Sequence, residues 1–411
     1  MKFIDLFSGI GGFRTGMEMN GHECVAFCEI DKYARQSYKA IYDTEGEKEW
    51  HDITQVSNDD FRSFRGRADI ITGGFPCQAF SIAGKRRGFG DTRGTLFFEI
   101  ARAIKEIQPS YALLENVKGL FSHDKGRTFG TVIQALDELG YFVEWGLFNS
   151  KYWGVPQNRE RVFILATRKD MFRQPKLIEL LNRQTEVNAK LIDVLESEVD
   201  EKYFLSDERV DNPIKKCNFY AKDNMVFSEE VFYEDPFEYD YEYIEPELRQ
   251  IGEYYLLVNQ EGSQAEVLIK LKEGVYETVR VVLDLDEIMR IELITPKDGM
   301  GRMGEQAIET FITNSCVQGD TINAYNRTVD KSRISPTLTT RPEGFKTAIL
   351  PITGDLRIRK LTPLECWRLQ GFTDEQFYKA KNDGVSNSQL YKQAGNSVTV
   401  NVIDVIARKL L

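Results

Sequence analysis

Short apolar segments alternate with amphipathic ones through the first 170 residues, and this alternation constrains the fold more than any other feature. Five segments have the length and apolar content of strands: KFIDLF (2–7), CVAFCEID (24–31), ADIITGGF (68–75), YALLENV (111–117) and RVFILAT (161–167). Helical spacing of apolar residues marks GTLFFEIARAIKEI (94–107) and TFGTVIQALDEL (128–139). Because strands that alternate with helices are joined by crossovers, the pattern predicts an α/β fold with a doubly wound, mostly parallel sheet.

Composition narrows the class of protein. A chain of 411 residues has room for two domains, and 42% hydrophobic with 28% charged residues is ordinary for a soluble globular protein. No apolar run approaches the roughly 18 residues that suggest a membrane span. The six cysteines (24, 28, 77, 217, 316 and 366) form no CxxC pair and have no histidines at zinc spacing. We therefore expect reduced thiols in a cytosol, with neither disulfides nor a bound metal.

Acidic residues are concentrated in one part of the chain. The net charge is −11, but residues 192–247 hold 18 Asp and Glu against 5 Lys and Arg, a local balance of −13 that leaves +2 for the remainder. A phosphate-binding groove elsewhere is therefore compatible with the acidic total. Within this part, SEEVFYEDPFEYDYEYIEPE (228–247) is typical of a solvated insertion rather than of a binding arm.

The later parts of the chain predict a second, smaller domain and a helical end. YYLLV (254–258), AEVLIKLKEGVYETVRVVLDLD (265–286) and IMRIELIT (288–295) alternate like strands, with a hairpin turn at 272–274. RIRKLTPLECWRLQGFTDEQFYKA (357–380) predicts helix, with Thr362 as N-cap and Glu365 three residues later. VTVNVIDVIARKLL (398–411) predicts a closing amphipathic helix.

A glycine-rich turn follows the first predicted strand. In DLFSGIGG (5–12) a strand ends in a turn that opens a helix, which lets a ligand approach the backbone closely. A dinucleotide motif would need a third glycine where Arg14 stands, which weakens a nicotinamide interpretation. Glu29 is placed to accept from ribose hydroxyls, Phe7 to stack on a base and Asp52 to accept from an adenine amine. The turn thus suits an adenosine-like ligand, or is a tight turn that the fold needs.

A single cysteine, Cys77, follows the third predicted strand in GGFPCQAFSIAGKRRGFGDTRG (73–94). Free cysteine is usually a small buried hydrophobe. Here Pro76 fixes the preceding backbone, the polar Gln78 follows, and nearby basic residues favour a thiolate. A thiolate at a strand end is suited to covalent attack, so we interpret Cys77 as a nucleophile rather than as a core residue.

Two further motifs hold ionisable residues beside predicted strands. Glu115 ends the fourth strand, where partial desolvation suits a carboxyl that donates a proton; the alternative is a capping or ion-paired glutamate. Arg159 and Arg161 lie two residues apart in QNRERVF (157–163), so both can point to one face. They either fix a carboxylate or phosphate or form surface salt bridges, and their spacing alone favours salt bridges.

In their order and spacing, these motifs resemble the cytosine-5 DNA methyltransferases from end to end except in the middle third. DLFSGIGGF is similar to the family's cofactor turn, EIDKYA to its ribose-binding strand end, GGFPCQAFS to its nucleophile motif and ENV to its pyrimidine-protonating motif. QNRERVF resembles the arginine motif, SPTLTTR the start of the hinge and KQAGNSVTVNVI the closing motif. The part from about 176 to 330, where relatives keep a variable target-recognition region, is unusually long and acidic here.

The resemblance implies a Rossmann-like S-adenosylmethionine-dependent methyltransferase of the bacterial or phage restriction–modification type. Its expected parts are a catalytic and cofactor-binding domain (1–175), a target-recognition domain (176–356) with an acidic insertion near 192–247, a hinge (357–390) and a segment (391–411) that completes the catalytic domain. The implied reaction moves a methyl group from S-adenosylmethionine to carbon 5 of a flipped-out cytosine in a specific double-stranded DNA sequence, leaving S-adenosylhomocysteine. The implied chemistry uses a cysteine adduct at carbon 6, with Glu115, supported by Arg159, acting at ring nitrogen 3.

The resemblance also assigns residues to three sets. The catalytic set is Cys77, Gln78, Glu115, Arg159 and Arg161. The cofactor-binding set is Phe7, Ser8, Gly9, Gly11, Gly12, Glu29, Ile30, Asp52, Ile53, Pro76, Leu96, Asn396 and Val398. The DNA-binding set is Lys85, Arg86, Arg87 and Arg93, in a glycine-rich loop expected to close over the flipped base and hold backbone phosphates.

Three other functions share part of this pattern. A transfer RNA cytosine-5 methyltransferase resembles the chain in fold and cysteine, but those relatives have a second proline where Phe75 stands. A non-catalytic DNA-binding relative is expected to lack Cys77 or Glu115, and a nicotinamide oxidoreductase leaves the Pro-Cys motif unexplained. We therefore expect double-stranded DNA as partner, no membrane, a monomer in the bacterial cytosol or nucleoid, and any cognate endonuclease acting separately.

Overall fold

The chain folds into two compact units. The computed structural model describes residues 1–76, 96–171, 176–184, 189–204, 210–212, 218–222, 225–229, 254–258, 264–272, 275–282, 291–293, 310, 320–323, 326–338, 348–349 and 359–410. The first unit comprises Met1–Val194, Ile334–Pro342 and Thr362–Leu411, and the second comprises Leu195–Arg333 and Glu343–Leu361. The chain thus passes four times from one unit to the other. The functional division at residues 175, 356 and 390 stays a prediction.

A seven-stranded sheet forms the centre of the first unit. Its strands are β1 (Lys2–Leu6), β2 (Glu23–Cys28), β3 (Lys48–Trp50), β4 (Ile70–Gly74), β5 (Tyr111–Val117), β6 (Tyr141–Asn149) and β8 (Glu160–Arg168), while β7 (Gln157–Asn158) pairs in parallel with Ser335–Pro336. The spatial order is β3-β2-β1-β4-β5-β8-β6. The first five of these strands pair in parallel, and β8 is antiparallel to both β5 and β6. Strand order reverses between β1 and β4, which is where α/β sheets bind ligands.

Helices cover both faces of this sheet. The described helices of the first unit are α1 (Gly12–Glu18), α2 (Lys32–Ile41), α3 (Asn58–Arg62), α4 (Leu96–Ile107), α5 (Arg127–Glu138), α6 (Leu177–Leu181), α7 (Pro363–Arg368), α8 (Asp374–Asn382), α9 (Asn387–Asn396) and α10 (Val400–Ala407). Short 3₁₀ turns lie at Ile53–Gln55, Lys118–Phe121, His123–Gly126, Ser150–Tyr152, Leu191–Val194 and Glu201–Tyr203. Because side chains alternate along a strand, Ile4 and Leu6 pack with α4 and α5 whereas Phe3 packs with α1, α6 and α10.

The predicted α/β fold is confirmed, with differences in detail. The structure adds α2 and β6, which the sequence pattern did not predict. It also splits the stretch 357–380, since Arg359–Lys360 is a strand and Gly371, at φ +83°, separates α7 from α8. The N-cap prediction is confirmed: Thr362 Oγ1 accepts from the Glu365 N–H at 3.2 Å, and Glu365 Oε2 accepts from the Thr362 N–H at 2.7 Å.

The second unit is rich in antiparallel strands. These are β9 (Val210–Asn212), β10 (Asn218–Lys222), β11 (Met225–Glu229), β12 (Tyr254–Val258), β13 (Gln264–Lys272), β14 (Val275–Val282), β15 (Ile291–Leu293), β16 (Thr321–Asn323), β17 (Thr328–Asp330), β19 (Ala348–Ile349) and β20 (Arg359–Lys360); β18 is Ser335–Pro336 of the first unit. The predicted hairpin is confirmed, since β13 and β14 pair antiparallel with Lys272 opposite Val275. Most of the acidic stretch 228–247 lies outside the described residues.

Among the described residues, no helix combines the length and the apolar character that a membrane crossing requires.

Candidate active site

A pocket of about 610 Å³ lies at the carboxyl ends of β1, β2, β4 and β5 in the first unit. Its walls come from residues at or just beyond the ends of these strands and from three later segments of the chain: Phe7, Gly9, Ile10, Glu29, Asp31, Ala34, Gly74, Phe75, Pro76, Glu115, Asn116, Val117, Arg159, Arg161, Leu338, Lys392, Gln393, Gly395, Asn396 and Ser397. The volume is in the range of small-molecule sites, and the pocket spans the point where strand order reverses.

The glycine turn, residues 7–11, connects β1 to α1 along one wall. Phe7, Gly9 and Gly11 all have left-handed backbone, with φ of +54°, +55° and +85°. This conformation is strained for Phe7, and such strain is characteristic of functional sites. A Cβ on Gly9 would meet no atom within 4 Å, so the backbone there is open to a ligand.

Glu29 lies opposite the glycine turn. Its Oε2 accepts from the Gly9 N–H at 2.9 Å, and its Oε1 accepts from the Asp31 N–H at 2.8 Å. Burial raises the pKa of Glu29, and the two backbone hydrogen bonds oppose that rise. The carboxylate is therefore fixed in direction at the pocket wall.

A second carboxylate, Glu115, faces the pocket from the end of β5. Its Oε1 lies 2.9 Å from Nε of Arg161, which stands diagonally across the antiparallel β5–β8 pair. Burial raises the pKa of Glu115, while the charges of Arg161 and then Arg159 oppose the rise. The ion pair to Glu115 thus comes from Arg161, whereas the resemblance implied that Arg159 would support this carboxyl.

Arg159 makes a different set of contacts. Its side chain is almost fully buried and donates to the carbonyls of Leu338 (3.3 Å), Gly395 (3.1 Å) and Ser397 (2.7 Å). Burial, and then the charge of Arg161, lower the pKa of Arg159 to about 9. Arg159 therefore joins three segments of the pocket wall. Within the described part of the chain, neither arginine makes the surface salt bridge that their spacing favoured.

The structure brings together part of the predicted site. Phe7, Gly9, Glu29, Pro76, Glu115, Arg159, Arg161 and Asn396 line the pocket. Outside the lining are Ser8, Gly11, Gly12, Ile30, Asp52, Ile53, Leu96 and Val398. Lying outside the described residues are Cys77, Gln78, Lys85, Arg86, Arg87 and Arg93.

The residues outside the lining have other surroundings. Gly12 packs on Val398, whose carbonyl would lie 2.7 Å from a Cβ at Gly12. Ile30 is 69% exposed, and Ile53 is a core residue. Asp52 accepts from the Thr54 N–H at 2.9 Å and caps a 3₁₀ turn. The roles of these residues in binding stay predictions.

Several pocket residues were not predicted. Lys392 of α9 pairs with Asp31 at 2.6 Å, so α9 is fixed to the start of α2 at the pocket rim. Asn116 donates through Nδ2 to the Phe75 carbonyl at 2.8 Å and joins the ends of β4 and β5. Asn116 lies within the ENV motif and Lys392 within KQAGNSVTVNVI, and this position in the motifs was the sequence signal available for them.

The sequence and fold of this chain match those of known proteins. The family described as C-5 cytosine-specific DNA methylase matches residues 1–411. The chain belongs to this family. A similar relative is the orphan methyltransferase M.SPRI of Bacillus phage SPR, 34% identical over 461 aligned positions that cover 100% of this chain and 97% of the relative. Type II methyltransferase M.BanI of Aneurinibacillus aneurinilyticus is also 34% identical, over 100% of this chain and 95% of its own. Among solved structures, the Dnmt2 methyltransferase of S. pombe shares the fold, with a TM-score of 0.59 and 16% identity over 100% of this chain and 98% of its own.

As a cytosine-5 DNA methyltransferase, the enzyme methylates carbon 5 of cytosine in DNA and uses S-adenosylmethionine as methyl donor. The pocket fits this cofactor. Gly9 leaves open space along the pocket wall, and Glu29 presents a carboxylate of the kind that accepts from ribose hydroxyls.

Proposed function

We propose that Glu115, Arg161 and Cys77 carry the chemistry of methyl transfer. The observation that supports this most is the Glu115–Arg161 ion pair at 2.9 Å, in the same pocket as the glycine turn and Glu29. The described wall reaches Pro76, and Cys77 is the next residue in the sequence. Proximity of Glu115, Arg161 and Glu29 in one pocket is what a two-substrate reaction requires.

In the proposed mechanism, the Cys77 thiolate adds to carbon 6 of the flipped cytosine, which makes carbon 5 nucleophilic. Glu115 donates a proton or hydrogen bond to ring nitrogen 3, and Arg161 fixes the carboxyl in position. S-adenosylmethionine supplies the methyl group at carbon 5. Loss of the carbon 5 proton then reforms the double bond between carbons 5 and 6 and expels the thiolate.

The cofactor-binding set keeps its predicted roles in this proposal. Glu29 accepts from the ribose hydroxyls, Phe7 stacks on the adenine, and the backbone of Gly9 faces the ligand. The glycine-rich loop, with Lys85, Arg86, Arg87 and Arg93, holds DNA phosphates, and recognition of one particular DNA sequence is assigned to the second unit. We also propose a monomer in the bacterial cytosol or nucleoid, with any cognate endonuclease acting separately.

The test of this proposal is Cys77→Ser. We expect this variant to lose methylation completely while it still binds S-adenosylmethionine and DNA. It should also no longer be trapped covalently on DNA that carries 5-fluorocytosine at the target position. Trapping is measured by denaturing gel electrophoresis.

A buried thiol provides the matched control. Burial raises the pKa of Cys28 to about 12, so this thiol stays protonated at neutral pH. The Cys28→Ala variant is expected to form the covalent complex with 5-fluorocytosine DNA to the same extent as the unmodified enzyme. Methylation at the normal rate by Cys77→Ser would exclude Cys77 as nucleophile.

A further inference from the structure

A buried tyrosine, Tyr42, lies directly beneath the glycine turn. Its hydroxyl oxygen is 2.8 Å from the Gly11 carbonyl oxygen, 3.3 Å from that of Ile10 and 2.5 Å from Thr15 Oγ1. Tyr42 follows the last residue of α2, so this helix end is hydrogen-bonded to the turn between β1 and α1. None of these contacts involves a residue of the predicted catalytic set.

Only one assignment of donors and acceptors fits the hydrogen bonds around Tyr42. A phenol has a single proton, and the shorter of its two carbonyl contacts is the one to Gly11. Thr15 therefore donates its hydroxyl proton to the Tyr42 oxygen. Thr15 Oγ1 in turn accepts from Nε2 of Gln376 at 3.0 Å, a side chain whose Oε1 also caps α8 through the Thr373 N–H. The turn is thus connected through two hydroxyls to α8.

The Tyr42 ring is fixed as firmly as its hydroxyl. A Cβ on Gly11 would lie 2.4 Å from Tyr42 Cε2, so the ring packs against the turn backbone itself. On the other side, the Arg14 guanidinium lies 4.5 Å from the ring centroid. Arg14 is buried, and its guanidinium donates hydrogen bonds to the Glu47 carboxylate at 2.8 and 2.9 Å and to the Glu18 carboxylate at 2.7 Å. These bonds hold the guanidinium in position against the Tyr42 ring.

We propose that Tyr42 is a positioning residue for the cofactor. By donating to the Gly11 carbonyl, its hydroxyl fixes the orientation of the turn. In this orientation the Gly9 backbone faces open space and the Gly9 N–H donates to Glu29. A turn that is already in its binding conformation loses less freedom when the ligand binds. Arg14, at the position of the third glycine in a dinucleotide motif, keeps the ring in place.

Tyr42→Phe tests this inference, because it removes the hydroxyl and leaves the ring. We expect the dissociation constant for S-adenosylhomocysteine, measured by calorimetry without DNA, to rise about fivefold, which is about 1 kcal/mol. The KM for S-adenosylmethionine should rise in the same proportion, while kcat and the KM for DNA stay close to those of the unmodified enzyme.

Tyr38→Phe is the matched control, one helical turn earlier on α2. Its hydroxyl is also buried, but it lies 3.4 Å from the Asp5 carboxylate and makes no described contact with the glycine turn. We expect its cofactor affinity to stay within about twofold of the unmodified enzyme. An unchanged affinity in Tyr42→Phe, or an equal loss in both variants, would overturn the assignment.

Thr15→Val gives a second route if Tyr42→Phe does not fold. It removes the donor to the Tyr42 oxygen and the acceptor for Gln376, and the same weakening of S-adenosylhomocysteine binding is expected. Unchanged binding by this variant would count against the proposal as well.

Discussion

At the scale of single residues, burial and ion pairing act on Glu115 in opposite directions. Burial raises the pKa of this carboxyl, and Arg161 at 2.9 Å lowers it without cancelling the rise. A raised pKa extends the protonated form to higher pH, which suits a group that donates a proton to cytosine. The arginine also fixes the carboxyl in one orientation, which an isolated buried acid would lack.

Glu115→Gln should therefore lower kcat by about 10² to 10⁴, the usual contribution of a general acid, with little change in cofactor affinity. In the unmodified enzyme, kcat should fall as pH rises through the raised pKa of Glu115. The Glu115→Gln variant should not show this fall in kcat with rising pH, since an amide does not titrate in that pH range. Single-turnover rates measured across pH check both expectations.

A neighbouring glutamate is the control for this experiment. Glu160 pairs with Lys118 at 2.8 Å but is 38% exposed, and exposed ion pairs contribute little. Glu160→Gln should keep the rate and the pH profile. A Glu115→Gln enzyme with normal turnover would remove the carboxyl from the mechanism.

At the scale of elements, the helix pair α1 and α10 covers the sheet face beside the site. A Cβ on Gly16 would lie 2.6 Å from Ile403 Cβ and 2.9 Å from the Asp404 backbone nitrogen. Helix α1 therefore approaches α10 as closely as a residue without a side chain permits, and the glycine turn is attached to this contact at the start of α1.

Gly16→Ala should destabilise the protein by about 1–3 kcal/mol through overpacking, although alanine is the better helix former. Gly130 in α5 is the matched case, because a Cβ there would meet nothing within 4 Å. Gly130→Ala should stabilise by about 0.5–1 kcal/mol. Denaturant unfolding of both variants measures the change in the free energy of unfolding, which should have opposite signs in the two. Stabilisation by Gly16→Ala would contradict the close packing.

Sequence patterns predicted the central elements and not their supports. The strands β1, β2, β4, β5 and β8 are apolar on both faces, and this pattern is strong in a single sequence. Helix α2 buries Ala34, Ser37, Tyr38 and Ile41, which follow helical spacing but include few strongly apolar side chains, so the segment lacks the apolar content of the predicted helices. The carboxyl ends of the strands placed Glu29 and Glu115 near one another, since that follows from fold class. Contacts such as Tyr42 with Gly11 or Lys392 with Asp31 join distant parts of the chain, and no local pattern contains them.

At the scale of the whole molecule, charge is unevenly distributed. Residues 192–247 carry a balance of −13 and the remainder +2, although the enzyme acts on a polyanion. Nine carboxylates without any basic residue lie within 228–247. A segment of this charge along the DNA path would repel phosphates, so we expect it to lie away from that path.

Replacing these nine carboxylates by amides should leave the methylated sequence unchanged and modestly tighten non-specific DNA binding at low salt. The gain should shrink as salt rises, because screening removes long-range repulsion. Binding curves over a salt series, with bisulfite sequencing of modified DNA, provide the measurement. A new methylated sequence would place the segment in the recognition surface, and strongly tightened binding with faster turnover would place it in the DNA site.

The contact between α1 and α10 also has a consequence for synthesis on the ribosome. Helix α1 is translated several hundred residues before Ile403 of its partner α10. At about 5–20 residues per second, the delay is on the order of tens of seconds. During this time the apolar side of α1, with Phe13 and Met17, has no α10 to cover it and is available to chaperones and proteases. Segment 395–397, which Arg159 bonds in the pocket wall, is also translated late, so a nascent chain cannot assemble its cofactor pocket before this segment has been made.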